Sequence, residues 1–136
     1  MKLLNLDHVA VAVHDLDDSL DAYRRLYGVE PLYREVVDDQ GVEEAMIPVG
    51  GSFIQLLEPR GPDTPVGRFL ERRGEGLHHI AFAVPDVAAA LTHLEAEGAK
   101  LVDRAPVRGS GGKQIAFVHP STANGTLIEL VELTDG

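Results

Sequence analysis

The sequence predicts an α+β fold built from two tandem βαβββ modules that form one curved mixed sheet around a cleft. Three observations predict it: an internal repeat, the same order of strand-like and helix-like patterns in each copy, and equivalent polar residues on strands that are otherwise apolar.

The repeat comes first because it fixes the frame for everything else. His8-Val9-Ala10-Val11-Ala12-Val13-His14-Asp15-Leu16 matches His79-Ile80-Ala81-Phe82-Ala83-Val84-Pro85-Asp86-Val87 at a constant offset of 71, and Leu20 matches Leu91 at the same offset. Later in each half, Phe53-Ile54-Gln55-Leu56-Leu57-Glu58 matches Leu127-Ile128-Glu129-Leu130-Val131-Glu132 at offset 74. The change of offset puts a few residues of difference into the intervening loops. The chain therefore reads as a duplication: module 1 over about 1–59, a linker over about 60–76 and module 2 over about 77–136, together one domain.

Each element has a local cause. β-branched and Ala-rich strands over about 5–13 and 78–84 run into Asp15 and Asp86, which are suited to N-cap a helix. The helices follow over about 16–27 and 87–97. In the first, Leu16, Leu20, Tyr23 and Leu26 recur at helical spacing, and Gly28 and Gly98 stop the two helices. Three strands then follow in each half, over about 31–37, 42–49 and 52–58, and over about 100–104, 113–118 and 126–133. Asp38-Asp39-Gln40-Gly41, Gly50-Gly51, Gly109-Ser110-Gly111-Gly112 and Asn124-Gly125 supply the turns between them. Within the Pro- and Gly-flanked linker, the spacing of Val66, Phe69 and Leu70 predicts a short helix.

Composition narrows the function. With 136 residues, 44% apolar, 5% aromatic and no Trp, the core must be made of Val, Leu, Ile and Ala. A net charge of −10 repels a polyphosphate backbone and weighs against nucleic acid, while leaving room for a small anionic substrate. The absence of Cys excludes disulfides, thiolate nucleophiles and Cys-based metal sites. No apolar run is long enough to span a bilayer, and Asp7 arrives too early for a signal-peptide core, so a cytoplasmic location is expected.

Positions that are polar in both copies on apolar strands are the ones to suspect. Two pairs fit, His8 with His79 and Gln55 with Glu129. They supply two imidazole nitrogens, an amide oxygen and a carboxylate oxygen, a set suited to a borderline divalent ion such as Co²⁺, Mn²⁺, Ni²⁺ or Zn²⁺, with two positions open if the ion is octahedral. Adjacent strand residues face opposite ways, so only one of His78 and His79 can share the face of such a site, and the match to His8 selects His79. The cleft is thereby expected to be metal-binding.

These residues resemble the vicinal oxygen chelate superfamily, and within it the methylmalonyl-CoA epimerases. The resemblance is carried by Leu6-Asp7-His8-Val9-Ala10, Gln40-Gly41-Val42-Glu43-Glu44-Ala45-Met46, Gln55-Leu56-Leu57-Glu58-Pro59, Gly76-Leu77-His78-His79-Ile80-Ala81, Phe117-Val118-His119-Pro120 and Gly125-Thr126-Leu127-Ile128-Glu129-Leu130, in family order over almost the whole chain. It implies that His8, Gln55, His79 and Glu129 are metal ligands, with Co²⁺ the first choice of ion, and that Glu44 is a catalytic carboxylate. Glu129 is then the candidate for the second proton-transfer group. The implied reaction interconverts (2R)- and (2S)-methylmalonyl-CoA through a metal-stabilised enolate, with an acyl-CoA as small-molecule partner and a homodimer as the assembly.

The loop Arg108-Gly109-Ser110-Gly111-Gly112-Lys113 is not a phosphate-binding Walker loop, because Val107 stands at the first Gly position and Gln114 follows the Lys. Ser110, Gly111 and Lys113 are candidate substrate contacts. The alternatives from other classes are a glyoxalase-type lyase, a fosfomycin-resistance-type transferase, a non-haem iron dioxygenase and a bleomycin-sequestering binding protein, all on this fold.

Overall fold

Strand β1 (Asn5–Ala12) alternates exposed or half-buried residues with His8, Ala10 and Ala12, which are buried, as a two-residue period requires. The structure, a computed structural model, describes residues 1–122 and 124–133, so the last three residues expected in module 2 lie outside the described residues. After β1 come α1 (Leu16–Tyr27), β2 (Tyr33–Val37), β3 (Val42–Val49), β4 (Ser52–Pro59), α2 (Pro65–Arg73), β5 (Gly76–Val84), α3 (Val87–Ala96), β6 (Val107–Arg108), β7 (Gln114–Val118) and β8 (Ile128–Glu132). Both modules are βαβββ. By their contacts the residues group into two compact units, 8–78 in one and 1–7 with 79–136 in the other. Among the described residues, no helix is long and apolar enough to cross a membrane.

In the first unit the strand order is β2-β3-β4-β1, with β1 parallel to β4 and the other pairs antiparallel. Helix α1 begins where Asp15 accepts the Asp18 N–H at 2.9 Å and ends at Gly28, whose φ of 67° is left-handed. Leu16 and Leu20 of α1 pack with Val13, Ala45, Ile47 and Leu56 on one face of this sheet. One end of the opposite face is covered by α2, whose Val66 and Leu70 pack with Ala10, Ala12, Val37, Val42 and Leu57. The segment expected to be a linker therefore has its helix in the core of the first unit. Thr64 caps it, accepting the Gly67 N–H at 3.1 Å.

The second unit repeats the pattern as β6-β7-β8-β5, with β5 parallel to β8. Asp86 caps α3 by accepting the Ala89 N–H at 3.0 Å, and Val87, Ala90 and Leu91 pack on Val84, Ala116, Val118 and Leu130. The strand expected over 100–104 is absent. Leu101 makes only an isolated bridge to Val118, and the edge strand is the two-residue β6 further along. Two features displace it. The Phe117 N–H is taken by the Asp103 carboxylate at 2.8 Å in place of a backbone carbonyl, and Pro106 has no N–H to offer a ladder.

Candidate metal centre

The faces of the two sheets decide where the polar side chains go. In the first unit His8 has the parity of Ala10 and Ala12, Gln55 that of Leu57, and Glu44 that of Val42, so all three lie on the face that α2 covers at one end and away from α1. In the second unit His79 shares parity with Ala81, and Glu129 with Val131, on the face opposite α3. Each module therefore directs its predicted donors to the sheet face that its own crossover helix leaves free.

The parallel pairing makes the equivalence of the two halves geometric. Ala10 pairs with Gln55, and Ala81 with Glu129. Each histidine stands two residues before the paired alanine, so His8 relates to Gln55 as His79 relates to Glu129.

All four donors are buried: His8 is 1% exposed, His79 3%, Glu129 4% and Gln55 5%. Burying such groups is costly unless each is given a partner. His79 Nε2 lies 2.9 Å from Glu129 Oε1, and the imidazole stands edge-on to Phe117 with ring centroids 5.2 Å apart. Gln55 Nε2 donates to Glu44 Oε1 at 2.6 Å, and Glu44 is 0% exposed. Gln55 Oε1 is buried and has no hydrogen-bond partner among the described residues. His78 takes the other orientation and stands edge-on to Phe69 of α2 at 4.9 Å.

These residues fit a divalent ion on two counts. A buried amide oxygen without a hydrogen-bond donor is an open acceptor for a cation. The 2.9 Å between His79 Nε2 and Glu129 Oε1 equals the separation of neighbouring ligands on one ion, since donors at about 2.1 Å and right angles lie about 3 Å apart.

The loop candidates lie in the β6–β7 hairpin. It is a tight turn, with a single 3-10 turn over Ser110–Gly112, the Gly109 N–H on the Lys113 carbonyl at 2.9 Å and the Gly112 N–H on the Gly109 carbonyl at 3.1 Å. Ser110 is half-buried, and Gly111 and Lys113 are exposed. A Cβ added at Gly109 would lie 2.6 Å from Ile115 Cδ1, so the loop lies close over Ile115, on the sheet face that carries Glu129.

Sequence reasoning missed one duplicated contact near this site. Glu58 Oε1 accepts the Leu16 N–H at 2.8 Å, and Glu132 Oε1 accepts the Val87 N–H at 3.0 Å, so the last strand of each module holds the start of its helix. The signal was present, because Glu58 and Glu132 are identical in the repeat, but only the fold brings β4 to α1 and β8 to α3.

Residues 7–117 match the model of the glyoxalase/bleomycin resistance protein/dioxygenase superfamily. The ethylmalonyl-CoA/methylmalonyl-CoA epimerase of Cereibacter sphaeroides is 37% identical, over 94% of this chain and 97% of its own. The Bacillus subtilis protein YqjC, described as uncharacterized, is 40% identical over 93% of this chain and 91% of its own. A solved structure of a single-residue variant of the Streptomyces coelicolor methylmalonyl-CoA epimerase, in complex with 2-nitronate-propionyl-CoA, superposes with a TM-score of 0.94 at 41% identity, covering 98% of this chain and 97% of that one.

Proposed function

The chain belongs to the glyoxalase/bleomycin resistance protein/dioxygenase superfamily, and we propose that it is a methylmalonyl-CoA epimerase acting by proton removal and return at C2. The observation that carries this reading is Glu44, a fully buried carboxylate held by Gln55 and flanked on its own strand face by the apolar Val42 and Met46. Such a group costs stability, and its retention fits proton transfer. The full-length likeness to epimerases of 2-alkylmalonyl thioesters supports the substrate class over the glyoxalase-type alternative.

His8, Gln55, His79 and Glu129 would hold one divalent ion, with Co²⁺ first and Mn²⁺, Ni²⁺ or Zn²⁺ as alternatives. Such an ion, when bound, supplies Lewis-acid attraction for negative charge developing on the thioester oxygen. Glu44 takes the C2 proton, and the electron pair of the broken C–H bond moves into the thioester carbonyl to give the enolate. Glu129 is the group on the second side, delivering a proton to C2 so that the configuration inverts; in the reverse direction the two carboxyl groups exchange roles. Ser110, Gly111 and Lys113 serve the substrate carboxylate or thioester from the β6–β7 loop. A cytoplasmic homodimer is the assembly this reading expects.

Deuterium uptake from D₂O at C2 of methylmalonyl-CoA, followed with and without chelator, tests the assignment. Metal-dependent exchange is expected, and its complete absence in the native protein refutes the epimerase reading. Full activity in Glu44→Ala would remove Glu44 from the reaction and leave the remainder intact.

A further inference from the structure

The repeat places a glutamine in one module where the other has a glutamate. Gln55 pairs with Ala10 as Glu129 pairs with Ala81, and both can give an oxygen to a cation. Ligand chemistry alone gives no reason for the difference, but the neighbours do. Across the antiparallel ladder Gln55 pairs with Met46 and Glu129 with Phe117; two residues earlier on those strands stand Glu44 and Ile115. Beside Glu44 a second carboxylate would put two anionic oxygens about where Gln55 Nε2 and Glu44 Oε1 now meet at 2.6 Å, and like charges that close cannot both stay ionised. Beside Ile115 no such conflict exists.

An amide has a donor and an acceptor on one carbon, in a fixed plane. With Nε2 donating to Glu44 Oε1, the carbonyl oxygen is turned away from Glu44, and this is the atom that is buried without a hydrogen-bond donor. The structure turns the amide nitrogen toward Glu44 and the oxygen away from it, the orientation that a carboxyl group ready to accept a proton requires, since in that form it only accepts hydrogen bonds.

We propose that Gln55 is a positioning residue that links the ion to Glu44 through one rigid amide, its carbonyl oxygen on the ion and its N–H on Glu44 Oε1, so that ligation fixes the orientation of the proton-accepting carboxylate. The carbonyl half rests on the metal-dependent reading given above. The N–H half does not.

The side-chain amides give a readout independent of turnover, because the chain has only three Gln and two Asn. In ¹H–¹⁵N spectra of the metal-free protein, the Gln55 amide signal is expected to lie apart from the others and to lose that displacement in both Glu44→Ala and Glu44→Leu. Adding Zn²⁺ is expected to move it further in the native protein. An unchanged signal in both Glu44 variants overturns the N–H half; a signal that Zn²⁺ leaves in place while histidine signals shift overturns the carbonyl half. If Zn²⁺ moves no signal and no isotope exchange occurs, the metal-dependent reading fails and the carbonyl half falls with it, with the N–H half judged by the Glu44 variants alone.

Gln55→Glu keeps an oxygen donor and deletes the N–H. It is expected to bind Zn²⁺ at least as tightly by calorimetry, with kcat for exchange reduced about 100-fold and KM little changed. A kcat near the native value would overturn the positioning role.

Discussion

Glu44, fully buried in the first module, occupies the position held in the second module by Ile115, itself 2% exposed. The register fixes the equivalence: Glu44 pairs with Leu57 and Ile115 with Val131, and Leu57 and Val131 are matched in the repeat. A duplicated scaffold thus accommodates an isoleucine at this place, so the fold does not itself require a carboxylate there.

That comparison predicts a trade of stability against activity. Glu44→Ile alone leaves the Gln55 N–H buried and unsatisfied, whereas Glu44→Ile with Gln55→Leu removes both polar partners. The double variant is expected to be about 1–3 kcal/mol more stable than the native protein in urea denaturation while C2 exchange falls about 10³-fold. A double variant less stable than the native chain would contradict the account.

The duplicated carboxylates at Glu58 and Glu132 are expected to matter for stability in the same way. Each accepts the first helical N–H of its module's helix, an interaction that also places negative charge at the positive end of the helix. Glu58→Ala and Glu132→Ala are each expected to cost about 1–2 kcal/mol, with Gln substitutions milder because an acceptor remains. Thermal unfolding of the four variants checks this; an Ala variant with the native Tm would show that the contact contributes nothing.

At Gly67 helix propensity and packing oppose each other. Alanine ordinarily favours a helix interior by about 1 kcal/mol over glycine, but a Cβ here would collide with the Gly61 carbonyl oxygen, a backbone atom. Packing wins, and Gly67→Ala is expected to destabilise the protein by about 1–3 kcal/mol. Because α2 covers Val42 and Leu57, next along their strands from Glu44 and Gln55, protease sensitivity near residues 61–73 should rise as well. An Ala variant more stable than native would mean that the 61–62 turn yields easily.

Ion removal should register in stability as well as in rate. A ligand at 100 times its Kd adds about 2.7 kcal/mol, which for a chain of this length corresponds to roughly 5–15 °C in Tm. Chelation is expected to lower Tm by that order and Co²⁺ to restore it. His79→Ala should abolish the Co²⁺ response; a variant that still gains the full increment would place the ion elsewhere.

Much of this protein was legible in its sequence because the information is local or repeated. The capping Asp15 and the stop at Gly28 bound α1 at Leu16–Tyr27, and the two-residue period lets only one of His78 and His79 share the face of the candidate site, the match to His8 choosing His79. The match of His8 to His79 and of Gln55 to Glu129 also identified the polar positions without any coordinates. The sequence did not reveal that Asp103 displaces the expected 100–104 strand, that Glu58 and Glu132 hold helix starts, or that Glu44, whose equivalent in the other copy is an isoleucine, shares a 2.6 Å hydrogen bond with Gln55. Periodicity and capping act between residues a few places apart, so the sequence determined them by itself. Contacts across a ladder depend on which strands pair and in what register, a choice made by the collective burial of apolar faces, and only the tertiary structure decides it.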